Sequence, residues 1–315
     1  MINTPQIHLV LGGNGAIGNA VVNELKKQNL NVKALTLNGS VANIETINLN
    51  LSDLDKFIEV TKDVSHIYLC IGLPYTTKVW EKEWPIIMEN TILVCKKNNI
   101  KLIFFDNVYM YGPAPLPISF DENTSQKPVS KKGLVRKQIA DKLLTAVKNG
   151  EIEAVIGRSA SFYGPKAVNS VLYISFLERM LKNKKPQLAF PIDVEHTFSY
   201  TKDNAKALVK LALDNSTYGE VWHLPVGKPI TIDKIQSIFN KYLNTDLKAS
   251  VLSIPMIEVL KLFITPLREV NETLYQFRTP YIMSDAKFMS KFPDFETTSY
   301  EEGLNEMINS FKNKI

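Results

Sequence analysis

The chain has 315 residues, 45% hydrophobic and 22% charged, with a formal net charge of +5. That length allows about two domains with substantial cores, and the composition is that of an ordinary soluble globular protein. The densest basic runs (Lys131–Lys132 with Arg136–Lys137, and Lys182 with Lys184–Lys185) lack the interleaved aromatics of a strand-binding surface, so no nucleic-acid partner is expected. Cys70 and Cys95 lie in apolar segments, which argues for buried free thiols in a reducing compartment. After Pro5 the chain goes straight into a strand without a charged leader, so no targeting segment is expected.

Taken in chain order, IHLVL at 7–11 reads as a strand buried on both faces. GGNGAIG follows, then a helix whose inner face is Ile17, Val21, Val22 and Leu25. Strands are expected at 31–37, 66–72, 101–107 and 153–160. Helices are expected at 53–62, at 79–98 with a break at Pro85, and from the end of the proline-rich 111–128 loop to about Lys148. This alternation means crossover connections and a parallel sheet covered by helices: an α/β, doubly wound, Rossmann-type fold.

After Gly164 the pattern changes to a helix over 168–182, two extended pieces, a helix from near Asp203, the strand VWHLP, and helices at 232–243 and 256–263. The dinucleotide-binding domain is read as 1–163 plus about 196–226, and a smaller, mainly helical domain as about 164–195 plus 227–315. VLSIPMIEVLKLFITPL at 251–267 carries Glu258, Lys261 and two prolines, and reads as a buried helix with flanking turns, not a span. A cytoplasmic protein without a membrane partner is expected.

Gly12, Gly15 and Gly18 form a G-x-x-G-x-x-G turn between strand and helix. The first permits the tight turn, the second lets backbone approach a diphosphate at the helix N-terminus, and the third allows close packing. The acid that would hold a ribose hydroxyl about twenty residues later is missing: the chain has Thr36, Leu37 and Asn38 there. No arginine is present to pair a 2′-phosphate, and Lys33 lies mid-strand, so NAD and NADP both stand as cofactors.

With the glycine loop, the segments FFDNVYMYGP, IGRSASFYGP and FSYTKDNAKAL, and a last helix in SYEEGLNEMI, the chain resembles the extended short-chain dehydrogenase/reductases, including the NAD-dependent sugar-nucleotide epimerases and dehydratases. The resemblance runs nearly the whole length. It implies a cofactor site formed by Gly12, Asn14, Gly15, Ala16, Ile17, Gly18 and Asn38, with Asn50, Leu51, Cys70, Ile71 and Gly72 on the adenosine side. Asn107, Lys132, Ser159, Ala160 and Ser161 would lie toward the nicotinamide.

The family's chemistry rests on a Ser/Thr after the fifth strand and a Tyr-x-x-x-Lys pair on the next helix; the matching positions here are Asp106–Asn107, Lys132 and Arg136. Three changed roles with polar replacements resemble the atypical branch of the superfamily. Arginine stays charged and relays no proton. Lysine could relay one, because a cation one helical turn away and the positive nicotinamide would both lower its pKa. Lys132 is therefore read as a proton donor/acceptor or a clamp on cofactor ribose, against the plainer reading of Lys132 and Arg136 as a solvated charged face.

Tyr109 and Tyr111 are alternative acid/base groups or packing aromatics. Asp106 is a catalytic carboxylate or a turn residue, Arg158 a substrate-phosphate partner or an internal ion pair, His196 substrate-facing or structural, and Asp203 a first-turn dipole partner. No Cys/His cluster has metal-ligand spacing and no G-x-S-x-G elbow is present.

The readings that remain are an NAD(P)-dependent oxidoreductase or epimerase-like enzyme for a small polar substrate such as a nucleotide sugar, and a dinucleotide-binding redox sensor without turnover. A methyltransferase-type fold fits less well, lacking the acid after the second strand. Substrate specificity is placed in loops 73–84 and 111–128, with Tyr75, Trp80 and Trp84, and homodimer pairing in helices 86–98 and 134–148.

Overall fold

The computed structural model describes residues 6–312; Pro5 and the residues before it, on which the expectation of no targeting segment bears, lie outside them. The chain divides into two compact units. The first takes the described residues up to Asp106, with Val135–Arg158 and Asn204–Trp222; the second takes Asn107–Leu134, Ser159–Asp203 and the chain from His223 on.

The first unit is built on β1 (Ile7–Leu11), α1 (Ala16–Lys27), β2 (Asn31–Thr36), β3 (Thr46–Asn48), α2 (Leu54–Val60), β4 (Val64–Leu69), α3 (Thr77–Asn98), β5 (Lys101–Asp106), α4 (Lys131–Lys148) from Val135 on, and β6 (Ala154–Arg158). With the later strand Val221–His223 these strands form a seven-stranded sheet in which β6, β5, β4, β1, β2 and β3 are successive neighbours. Each pairing from β6 to β3 is parallel. The order reverses at β1, with β2 on one side and β4 on the other, which opens a crevice at the carboxyl ends where ligands bind in this architecture.

Apolar runs explain the strands: all five residues of β6 and the last four of β1 are buried, as a strand covered on both faces requires. In α1 the expected stripe of Ile17, Val21, Val22 and Leu25 is the buried face, and Lys26 and Lys27 sit at the negative end of its dipole.

The break expected at Pro85 is absent, and α3 runs through it. A mid-helix proline costs roughly 3 kcal/mol. Trp80, Trp84, Ile87 and Met88 are all buried around it, each contributing about 1.5–3 kcal/mol, so packing outweighs the missing bond. This also moves Trp80 and Trp84 off the expected specificity loop and into the core. There they stack edge to face at 6.2 Å, and Tyr75 meets Trp80 at 5.6 Å. β3 was not foreseen, because three half-exposed residues carry no apolar pattern.

In the second unit β7 (Ser161–Tyr163) pairs in parallel with β8 (Phe198–Tyr200). The core there joins Phe176, Phe198, Phe239, Leu304 and Ile308. The helix expected over 168–182 is shorter, and Tyr173–Leu177 are wound as a π-helix. Beyond α5 (Thr201–Leu213) and α6 (Ile232–Leu243), the stretch expected as a buried helix at 251–267 forms two short helices, α7 (Ile254–Phe263) and α8 (Thr265–Asn271). They are not buried: Ile257 is the one buried side chain of α7, while Leu262 is 70% and Phe263 80% exposed. The apolar count was read correctly and its environment was not. Among the described residues no helix is long and apolar enough to cross a membrane.

Opposed across β1 and β4, the buried rings of His8 and His66 stack at 4.5 Å with planes 8° apart. Burial lowers both, helped by His66 beside His8 and by Lys101 beside His66, so each titrates at about 4 instead of the ordinary 6.5. The unfolded chain binds these protons first. The stability due to the neutral pair is complete above pH 6.5 and is lost as pH falls through about 4. Urea titrations should show unfolding free energy falling across that window by up to about 3 kcal/mol per ring. His8→Leu should make the fall shallower.

Candidate dinucleotide and active site

Gly12 closes β1 with φ +78°, in the left-handed region. A Cβ on it would stand 3.0 Å from both the Cys70 carbonyl and Ile71 Cα, so the turn is pressed onto the end of β4. A Cβ on Gly18 would lie 2.2 Å from the Gly12 carbonyl oxygen, which fixes the close approach of α1 to the loop. Gly15 differs. It is exposed, caps α1 with ordinary extended backbone, and a Cβ there would meet only the Gly12 oxygen, at 3.2 Å. No side chain caps α1 and no acid sits in its first turn, so the N–H groups of Ala16, Ile17 and Gly18 point their partial positive charge outward. This cradle of bare backbone at a helix N-terminus fits a diphosphate. Gly13, which the spacing did not single out, is also required: a Cβ would come 2.8 Å from Ala34 Cβ.

Around this loop the sheet edge gathers part of the expected adenosine side. Asn14 Nδ2 donates to the Asn38 carbonyl at 2.9 Å, and Ile71 and Gly72 leave β4 beside Gly12. Asn50 is exposed, but its Oδ1 accepts the Ser52 N–H at 3.1 Å. Leu51 is core, with its carbonyl accepting Asn90 Nδ2 at 2.7 Å. Cys70 is buried and burial pushes its thiol well up, as at Cys95, so both thiols are structural. Lys33 is tied to Glu45 and Asp63, each at 3.3 Å, and does not stand ready for a 2′-phosphate.

At the carboxyl end of β5, Asp106 is fully buried and receives two guanidinium groups. Arg136 of α4 donates through Nε at 2.8 Å and Nη2 at 2.5 Å to Oδ1, and Arg158 of β6 donates through Nε at 3.1 Å to Oδ2. Arg136 also lies over the rings of Trp84 at 4.4 Å and Phe104 at 4.8 Å. Asp106 is thus an ion-pair anchor and not a turn residue, and Arg158 has an internal carboxylate partner. Arg136 is 3% exposed, so the solvated-face reading of the pair falls.

Lys132, one turn earlier, is 0% exposed and turns to different acids within the second unit. Its Nζ donates to Glu269 Oε2 at 2.8 Å, Glu272 Oε1 at 2.6 Å and the Glu269 carbonyl at 3.0 Å, which engages all three ammonium hydrogens. The other oxygen of Glu272 accepts the Lys131 N–H at 3.0 Å, which caps the start of α4. Sequence reading missed both glutamates, which lie about 140 positions downstream with no motif around them.

Tyr111 is buried. Its hydroxyl bonds His223 Nε2 at 2.7 Å while His223 Nδ1 donates to the Ser284 carbonyl at 2.9 Å, a hydrogen-bonded pair the sequence did not foretell. Asn107 accepts the Tyr109 N–H at 3.1 Å, an Asx turn just past β5. Ser159 and Ala160 are buried, Ser159 donating to the Ala160 carbonyl at 2.8 Å, and Ser161 is half-buried at the start of β7. His196 is a packed ring, 4.4 Å from and nearly parallel to Phe277; burial lowers it to about 3. Asp203, in the first turn of α5, accepts from the Thr298 N–H at 2.7 Å and its hydroxyl at 2.9 Å. Of the candidates in the first unit, the glycine loop, Asn38 and Cys70–Gly72 come together at the sheet edge. Asn107, Tyr111, Lys132 and Ser159–Ser161 belong to the second unit.

Removing the Asp106 carboxylate strands two buried cations. Asp106→Ala should cost about 3–5 kcal/mol in chemical denaturation, whereas an Asp106→Leu, Arg136→Met, Arg158→Leu triple replacement should recover most of that loss.

A family description, the NAD dependent epimerase/dehydratase family, matches residues 8–224. No curated protein matches the chain. Among solved structures, the chain is similar to a UDP-glucuronic acid 4-epimerase from Bacillus cereus in complex with NAD, at 18% identity and TM-score 0.80 over 98% of this chain and 99% of that one. It is similar to a UDP-glucose 4-epimerase from Thermus thermophilus in complex with NAD at 15% identity and TM-score 0.78, over 98% and 100%. A UDP-N-acetylglucosamine 4-epimerase from Methanobrevibacter ruminantium matches at 20% identity and TM-score 0.79, over 99% and 100%. The glycine cradle at the switch point, and a family match that spans the sheet from β1 to its last strand, make this chain a member of the NAD-dependent epimerase/dehydratase family.

Proposed function

We propose that the chain is an NAD(P)-dependent enzyme of the epimerase/dehydratase kind acting on a small polar substrate of the nucleotide-sugar class. The observation that carries this reading is the loop geometry, in which Gly12 and Gly18 are needed by the fold while Gly15 leaves a backbone surface open at the head of α1. A nicotinamide dinucleotide held there would supply hydride transfer. The chain's part is to hold the diphosphate on the α1 amides and to place Asn38 and Asn14 beside the adenosine ribose. Arg136 is fixed on Asp106 and moves no proton, so we assign proton handling to Lys132, with Glu272 and Glu269 at 2.6 and 2.8 Å as the groups that exchange a proton with its Nζ.

A second reading, dinucleotide binding without turnover, draws on the same residues: the three Lys132 hydrogens already have acceptors, and none points away from its two glutamates. A homodimer through α3 and α4 and a cytoplasmic location belong to the proposal, the latter supported by two buried free thiols.

The variants separate these ideas. Gly15→Val should melt within a few degrees of the parent yet lose NAD and NADP affinity by at least tenfold, read by quenching of tryptophan fluorescence. Retained affinity overturns the cradle. Lys132→Met should keep NAD affinity and lower kcat on UDP-sugars by about 100-fold or more. Binding of dinucleotide with no turnover in the parent protein favours the second reading.

A further inference from the structure

Exposed large apolar side chains are scattered singly elsewhere among the described residues but crowd together in the 251–264 segment. Val251, Ile254, Met256, Val259, Leu262, Phe263 and Ile264 are each 44–80% exposed, and Leu262 and Phe263 sit at the tip where α7 turns into α8. On a helical wheel the exposed apolar positions of α7 cover about 200° of its circumference at 100° per residue. Ile257 and Leu260, with Lys261, take up the inner side. A helix that is apolar nearly all round sits in a core or in lipid, whereas a groove-binding helix needs only a stripe of about 100°. The one acid within that arc, Glu258, is neutralised by Lys261 at 2.5 Å.

The charges around the patch choose the partner. From Asp246 to Arg268 the bases are Lys248, Lys261 and Arg268 and the acids Asp246 and Glu258, a net charge of 3 − 2 = +1 in a chain that is itself +5, and the next acid, Glu269, is already held by Lys132. Lys248 and Arg268 are exposed at the two ends. A two-fold pairing of this patch with a second copy would bring two positive rims together. An anionic lipid surface complements the rim and accepts the tip.

We propose that α7 and its junction with α8 seat this protein on the surface of an anionic bilayer, with Leu262 and Phe263 inserted among the acyl chains and Lys248 and Arg268 at the headgroups. At ten residues α7 is about 15 Å long, far short of a span and fitted to insertion by a few ångströms. This departs from the expectation of no membrane partner, which rested on the charges and prolines of a segment taken to be buried.

The test is co-sedimentation of the full chain with vesicles of mixed phosphatidylglycerol and phosphatidylcholine, against vesicles of phosphatidylcholine alone. The parent protein should sediment with the anionic vesicles and much less with the neutral ones. The double variant Leu262→Asp, Phe263→Asp should lose binding by at least tenfold with its melting temperature unchanged, since both side chains are already in water. Arg268→Gln should weaken binding to the anionic vesicles alone by about fivefold. Absence of binding to either vesicle, or equal binding by the double variant, overturns the proposal. So does a parent dimer that the double variant turns into a monomer while vesicle binding is unchanged.

Discussion

One carboxylate organises the chemistry-bearing half of the sheet. Asp106 ends β5, and through it α4 and β6 are held to the same point by guanidinium groups buried with it. A buried anion is tolerated only when its lone pairs are met, and two arginines meet them from two directions. Arginine is the residue for this because its planar head both forks onto the carboxylate and stacks on Trp84 and Phe104. A lysine at position 136 could place a point charge near the rings but could not fork onto the carboxylate.

The consequence reaches one turn upstream. Two cations at i and i+4 repel, and Asp106 is already engaged. Lys132 accordingly draws its own acids, Glu269 and Glu272, from the far end of the chain. Lys132 and Arg136, one turn apart on α4, have separate ion networks, one in each compact unit.

What the sequence disclosed follows from the range of the interactions. The alternation of strand and helix, the α1 stripe and the glycine turn are local patterns, legible because period and spacing are local quantities. The ion networks are not local. Arg136 meets Asp106 across 30 positions and Lys132 meets Glu269 across 137, with nothing in either neighbourhood to announce it. Pro85 and the 251–267 stretch mark a different boundary. In both, the local signal was read correctly and the outcome lay with what packs outside: two tryptophans that carry α3 through its proline, and too little cover for α7 to bury more than Ile257.

The two unforeseen features of the second unit share one piece of chain. α7 ends at Phe263, Ile264 alone intervenes, and α8 begins at Thr265; Glu269 lies on α8 and Glu272 directly after it. A connection of one residue therefore joins the exposed helix to the stretch that carries the glutamates engaging Lys132. The ammonium has three hydrogens and all three end on that segment. Freeing one for another acceptor means breaking one of these three bonds, two of them to glutamate side chains and one to the Glu269 carbonyl. The exposed apolar helix and the acids that hold Lys132 are therefore neighbours on one continuous stretch of the second unit.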